Sequence, residues 1–204
     1  MHISEGVLAA PVLITGAAVT AAGVAIGLKK MDEADIPKTA LVAAVLFVAS
    51  LIHVPLGPTS VHLILNGLAG ILLGWEVFPA FLVALFLQSI LFQFGGLTTL
   101  GVNTLNVGLP AVLVYYLFNF LQLRKNSFLE TVLAFASGGL AVFLTALMVA
   151  ASLMFTDQSF QEIAKITILA HLPVIIIEAV ITAVIISFIK KVKPEVLAGG
   201  ENNE

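Results

Sequence analysis

Long apolar runs separated by short polar stretches organise this chain. The first run extends from Val7 to Leu28 and stops at KKMDEADIPK; the second, Thr39–Val54, stops at HVPLGPTS. The third, Ser60–Gly74, is short for a membrane span. The fourth, Val77–Phe94, is followed by GGLTTLGVNT, and Leu105–Leu123, Phe128–Phe155 and Ile166–Ile189 complete the series. A helix needs about 20 apolar residues to cross the hydrocarbon of a bilayer, and most of these runs approach that length. The pattern predicts an all-α polytopic membrane protein with seven transmembrane helices. They form one integral membrane domain over residues 1–195, and residues 196–204, ending in AGGENNE, form a disordered tail.

Composition supports that class. Hydrophobic residues make up 60% of the chain and charged residues 10%, with a mean hydropathy of +1.12. A soluble domain of this size could not keep so much apolar surface from water. Few basic residues and a net charge of −3 argue against nucleic-acid binding. With no cysteine, thiolate nucleophiles, disulfides and cysteine-based metal clusters are excluded. The first apolar run has no cleavage site after it and is expected to remain as a helix.

Charge distribution sets the expected orientation. Cytoplasmic flanks of membrane helices carry the Lys and Arg residues. With seven spans and the N-terminus outside, Lys29, Lys30, Lys38, Arg124, Lys125, Lys190, Lys191 and Lys193 all fall on the cytoplasmic side, and only Lys165 falls outside. The N-terminus MHISEG then faces the exterior, with no basic residue before Lys29.

That terminus carries candidate chemistry. The Met1 amine, the Met1–His2 peptide nitrogen and His2 Nδ1 can close two adjacent chelate rings on one ion. Three nitrogens then lie nearly in a plane, and a fourth donor completes a square. Such a set suits Ni(II), Cu(II) and Co(II), whereas Mg2+ and Ca2+ want oxygen. Otherwise His2 is simply a frayed terminal residue. His62, near the start of the third run, is expected on the same external side, with Asn66 one turn on along the same helix face and Thr59 or Ser60 as N-cap. Gly70 and Gly74 form a small-residue pair that admits a close neighbouring helix. Between Gln93 and Pro110, Asn103 and Asn106 can satisfy loop backbone and pin the N-terminal segment from behind. Glu5 is either a hydrogen-bond acceptor near the site or an exposed carboxylate. His171 and Glu178 lie two turns apart and are expected to bridge helices; His53 is expected in a solvated loop.

Four stretches carry a family resemblance: MHISEG, PTSVHLILNGLAGILLG, QSILFQFGGLTTLGVNTLNVGLP and HLPVIIIEAVITAVIISFIKKVKPE. Together they resemble the CbiM/NikM family, the substrate-specific membrane components of energy-coupling-factor (ECF) transporters for cobalt or nickel. The resemblance runs from Met1 to about Glu195; many members read Met or Pro where this chain has Ser4. It implies a six-helix core with an added N-terminal helix. It also implies that Co2+ or Ni2+ is held by the Met1 amine, the His2 backbone nitrogen, the His2 imidazole and His62. No permanent cofactor is implied, only the transported ion. Implied partners are an ECF transmembrane coupling protein, ABC-type ATPase subunits and a small helper membrane protein of the CbiN/NikN type. This chain ends before a fused helper would begin, so the helper is expected as a separate chain. The implied setting is a bacterial or archaeal cell membrane, with cobalt feeding cobalamin biosynthesis.

Other classes fit less well. A helical zinc protease needs HExxH, and none of His53, His62 or His171 is followed by Glu; no Gly-x-Ser-x-Gly occurs. A stand-alone secondary transporter or channel for a divalent transition metal usually shows paired intramembrane carboxylates or broken-helix repeats; Glu178 is a lone candidate.

Overall fold

The computed structural model describes residues 2–51, 53–56, 59–121 and 127–197, with the side chains of residues 53–60 and 127 excepted. Eight α-helices occur among the described residues: α1 Ala10–Lys30, α2 Ile36–Ala49, α3 Asn66–Leu73, α4 Val77–Phe92, α5 Leu100–Leu121, α6 Ser127–Thr156, α7 Gln161–Ala170 and α8 Leu172–Val192. A small antiparallel hairpin, β1 His53–Leu56 and β2 Thr59–His62, lies between α2 and α3, with His53 opposite His62. Five helical stretches are long and apolar enough to cross a membrane: Ala10–Lys30, Asn66–Phe92, Leu100–Leu121, Phe128–Thr156 and Gln158–Val192. The second of these comprises α3 and α4, and the last comprises α7 and α8. α2, at 14 residues, is shorter than a standard span.

Hydrogen bonds and close contacts give the bundle two ends. At one, the Ala9 amide donates to Thr156 Oγ1 at 3.3 Å, so the start of α1 meets the end of α6. At the other, Gly27 near the end of α1 lies against Trp75, and Lys190 near the end of α8 pairs with Glu130 near the start of α6. Lys29, Lys30, Lys190 and Lys191 all sit in last turns of their helices, where cations favour the helix dipole. The core is apolar and tightly closed: Phe78, Val77, Ala111, Val142 and Leu153 are all buried. Outward faces are equally apolar, with Phe120, Phe128 and Phe155 among the most exposed side chains, as lipid contact allows.

The local structure corrects the expected third helix. Residues 60–62 are strand, Leu65 is left-handed (φ 54°), and the helix begins at Asn66. Asn66 is therefore not one helical turn beyond His62, and neither Thr59 nor Ser60 caps α3. The cap comes instead from α8: the Ile64 and Leu65 amides donate to the Glu178 carboxylate, with Leu65 N 2.8 Å from Oε1. Gly70 and Gly74 both face α5, as expected of a small-residue pair: a Cβ on Gly70 would clash with the Ala111 carbonyl, and one on Gly74 would press on the Tyr115 ring. Gly74 (φ 55°) also turns the chain out of α3.

Two other boundaries differ. α5 starts at Leu100 rather than Leu105, because tertiary bonding outweighs the weak helix propensity of Gly101, Asn103 and Thr104. The seventh run divides at His171. Pro173 lacks an N–H and crowds the preceding turn, so the His171 amide bonds Ile168 O at 3.2 Å. The Thr167 carbonyl is left to accept from His171 Nδ1 at 2.5 Å.

Candidate metal site

The N-terminal segment is drawn into the bundle by α5. The Ile3 amide donates to Asn103 Oδ1 at 2.9 Å, and the Ile3 carbonyl accepts from Asn103 Nδ2 at 3.1 Å and from Thr99 Oγ1 at 3.0 Å. One side-chain amide thus satisfies both polar groups of a buried backbone unit, which would otherwise cost free energy. Asn103 lies on the first turn of α5, not in a loop as expected. Outside it, the Glu5 amide donates to Gly95 O at 3.1 Å, and Glu5 Oε1 accepts from the Thr98 amide at 3.1 Å. Gly95 is left-handed (φ 77°), and a Cβ on Gly96 would lie 2.7 Å from Glu5 Cβ. The two glycines let the 93–99 loop close over the terminal segment.

Held this way, His2 is buried beside a buried His62, their ring centroids 4.7 Å apart and the planes inclined by 31°. His62 reaches this position at the end of β2. Its Nδ1 lies 2.7 Å from Leu63 O. A carbonyl only accepts, so Nδ1 carries the proton and Nε2 keeps its lone pair. On the other ring, His2 Nε2 lies 2.6 Å from Gln88 Oε1 of α4. A cavity of about 10 Å³ lies beside His62, lined also by Ser50, Phe81, Gln88 and neighbouring apolar residues. That is room for about one water, far too little for an organic solute. Among the described residues no three His, Asp or Glu side chains converge to hold an ion. An ion at the imidazole pair would need donors of another kind, such as backbone or terminal nitrogen.

The other candidates fall in different places. Met1 lies outside the described residues. Ser60 pairs through its backbone with Pro55 in the hairpin, and its side chain lies outside the description; His53 opens β1, with the same limit. The hydrogen bonds of Asn66 run to Thr145 Oγ1 (2.8 Å), Val107 O and Ala141 O, so it ties α3 to α5 and α6. Asn106 accepts from Ser152 Oγ of α6 at 3.3 Å and lines a groove between α1, α5 and α6. Neither asparagine bonds to the imidazoles. Two contributors escape sequence reasoning, Gln88 and Ser50, both buried. The available signal was an amide in the interior of the fourth apolar run, since buried polar groups at membrane depth are costly.

Comparisons agree with this architecture. A family model described as the cobalt uptake substrate-specific transmembrane region, CbiM, matches residues 2–196. A Haemophilus influenzae protein named for metal transport is 42% identical over 99% of both chains. The cobalt transport protein CbiM of Clostridium tetani is 34% identical, covering 94% of this chain and 85% of that one. The fused nickel transport protein NikMN of Rhodobacter capsulatus is 36% identical over 56% of this chain and 35% of its own length. Among solved structures, a transition metal transporter superposes with a TM-score of 0.83 at 27% identity, covering 94% of this chain and 93% of that one.

Proposed function

This chain belongs to the CbiM family of cobalt-uptake substrate-specific transmembrane proteins, and from that membership we propose that it captures Co2+ or Ni2+ for an ATP-driven ECF-type importer. The cargo is held by the Met1 amine, the His2 backbone nitrogen, His2 Nδ1 and His62 Nε2. The observation that carries this reading is the buried pair of imidazoles at 4.7 Å, one of them next to the chain's first residue. Square nitrogen coordination suits Ni(II) and Co(II), while tetrahedral Zn(II) fits such a chelate poorly. Glu5 and Asn103 act behind the ligands by fixing the N-terminal segment.

The wider assembly follows from the same reading. The N-terminus lies outside, and the lysine-rich helix ends face the cytoplasm of a bacterial or archaeal cell. α2 and α3 complete seven crossings despite their length. The sequence carries no P-loop motif; a transmembrane coupling protein and ABC-type ATPases supply the drive. A small CbiN/NikN-like membrane protein assists, as the fused name of the Rhodobacter relative suggests. Imported cobalt would feed cobalamin synthesis.

X-ray absorption of the nickel-loaded protein tests the ligand set. His62→Ala is expected to remove one nitrogen and one imidazole scattering contribution from the first shell. A spectrum identical to wild type would refute the assignment of His62.

A further inference from the structure

Gln88 lies in the interior of α4, is 1% exposed, and has both ends of its amide engaged. An amide can sit in either of two orientations, and the neighbours decide which. Ser50 Oγ donates its own proton to Phe47 O at 2.9 Å, so that oxygen offers Gln88 a lone pair. Phe47 O, a carbonyl, only accepts. The Gln88 NH2 group therefore faces these two, donating to Ser50 Oγ and, at 3.4 Å, to Phe47 O. Oε1, an acceptor without a proton, is left 2.6 Å from His2 Nε2. Two acceptors do not share that distance, so His2 Nε2 carries the proton. A neutral imidazole has one such proton, and Nδ1 is then the nitrogen with the lone pair.

We propose that Gln88 is a positioning residue for metal capture: oriented by Ser50 and Phe47, it holds the His2 proton on Nε2 and so presents Nδ1 to the incoming ion. The inference rests on the reading of His2 as a ligand, and it adds what the chelate requires. Closing a ring with the peptide nitrogen uses Nδ1, and the opposite tautomer would place a proton where the ion must bind. The relay runs from the end of α2 through α4 to the N-terminal segment, and it also fixes the ring's rotation. Outer partners of this kind orient a ligating imidazole and raise its basicity.

The test uses the full chain with its native N-terminus and a C-terminal tag, in nanodiscs, with NiCl2 as the probe. In 15N-histidine-labelled metal-free protein, long-range 1H–15N spectra, assigned by comparison with His2→Ala, are expected to show the His2 proton on Nε2. Gln88→Leu removes the acceptor and is expected to weaken nickel binding by about 10- to 100-fold. Gln88→Glu keeps an acceptor for Nε2–H, and Ser50 can turn its hydroxyl toward the new carboxylate. That variant is expected to retain the tautomer and to bind more tightly than the leucine variant. A role in packing alone predicts the reverse order, because leucine fills the space and a buried carboxylate is costly. A His2 proton on Nδ1, or a leucine variant that binds like wild type, overturns the inference and leaves the proposed function standing. A wild-type chain that binds neither nickel nor cobalt overturns the proposed function and this inference together.

Discussion

His2 and His62 keep their lone pairs on opposite nitrogens because a different acceptor holds the other nitrogen of each ring. The Leu63 carbonyl takes His62 Nδ1–H and the Gln88 side chain faces His2 Nε2. The placement of His2 depends in turn on Asn103, whose amide bonds both backbone groups of Ile3. We predict that Asn103→Ala, which strands the buried Ile3 amide, lowers nickel affinity by about 10- to 100-fold and speeds hydrogen exchange at that amide. Unchanged exchange and affinity would show that the terminal segment is held by other means. His2, His62 and Asn103 could be singled out from residue type and spacing. Gln88 and Ser50 could not, since their role depends on α2, α4 and the N-terminus meeting in space.

Among the elements, α3 is the least self-sufficient. It has eight residues, starts after a left-handed leucine, and has no side-chain cap of its own. The Glu178 carboxylate, reaching from α8, supplies the missing acceptor for Ile64 and Leu65, and a negative group suits a helix N-terminus. Glu178→Ala leaves buried N–H groups unpaired and should cost about 1–3 kcal/mol, read as a lower thermal midpoint, with Glu178→Gln intermediate because it keeps one acceptor oxygen. A midpoint equal to wild type in both variants would contradict that role. The position and type of the long helices were legible from apolar run length alone, as α1, α4 and α6 show. The hairpin, the late start of α3 and the early start of α5 were not, because a distant carboxylate and the packed N-terminus decide them. The break at His171 had a local signal in Pro173, which an uninterrupted apolar run obscured.

For the whole molecule, the lysine-bearing ends of α1 and α8 share one end of the bundle, and the imidazole pair lies with the N-terminal segment, away from them. Buried polar contacts concentrate on that segment and on α3, while the lipid-facing surfaces are apolar. In the proposed function the ion binds at the imidazole pair, and energy conversion is left to partner subunits. The proposed cargo site depends on a free amine at the very start of the chain, so its position is testable without altering any side chain. The decisive measurement is nickel and cobalt titration calorimetry on the chain beginning at Met1 and on the same chain with one glycine added before it. The extended chain is expected to lose high-affinity binding while keeping its thermal midpoint; equal affinity in the two chains would contradict the N-terminal chelate.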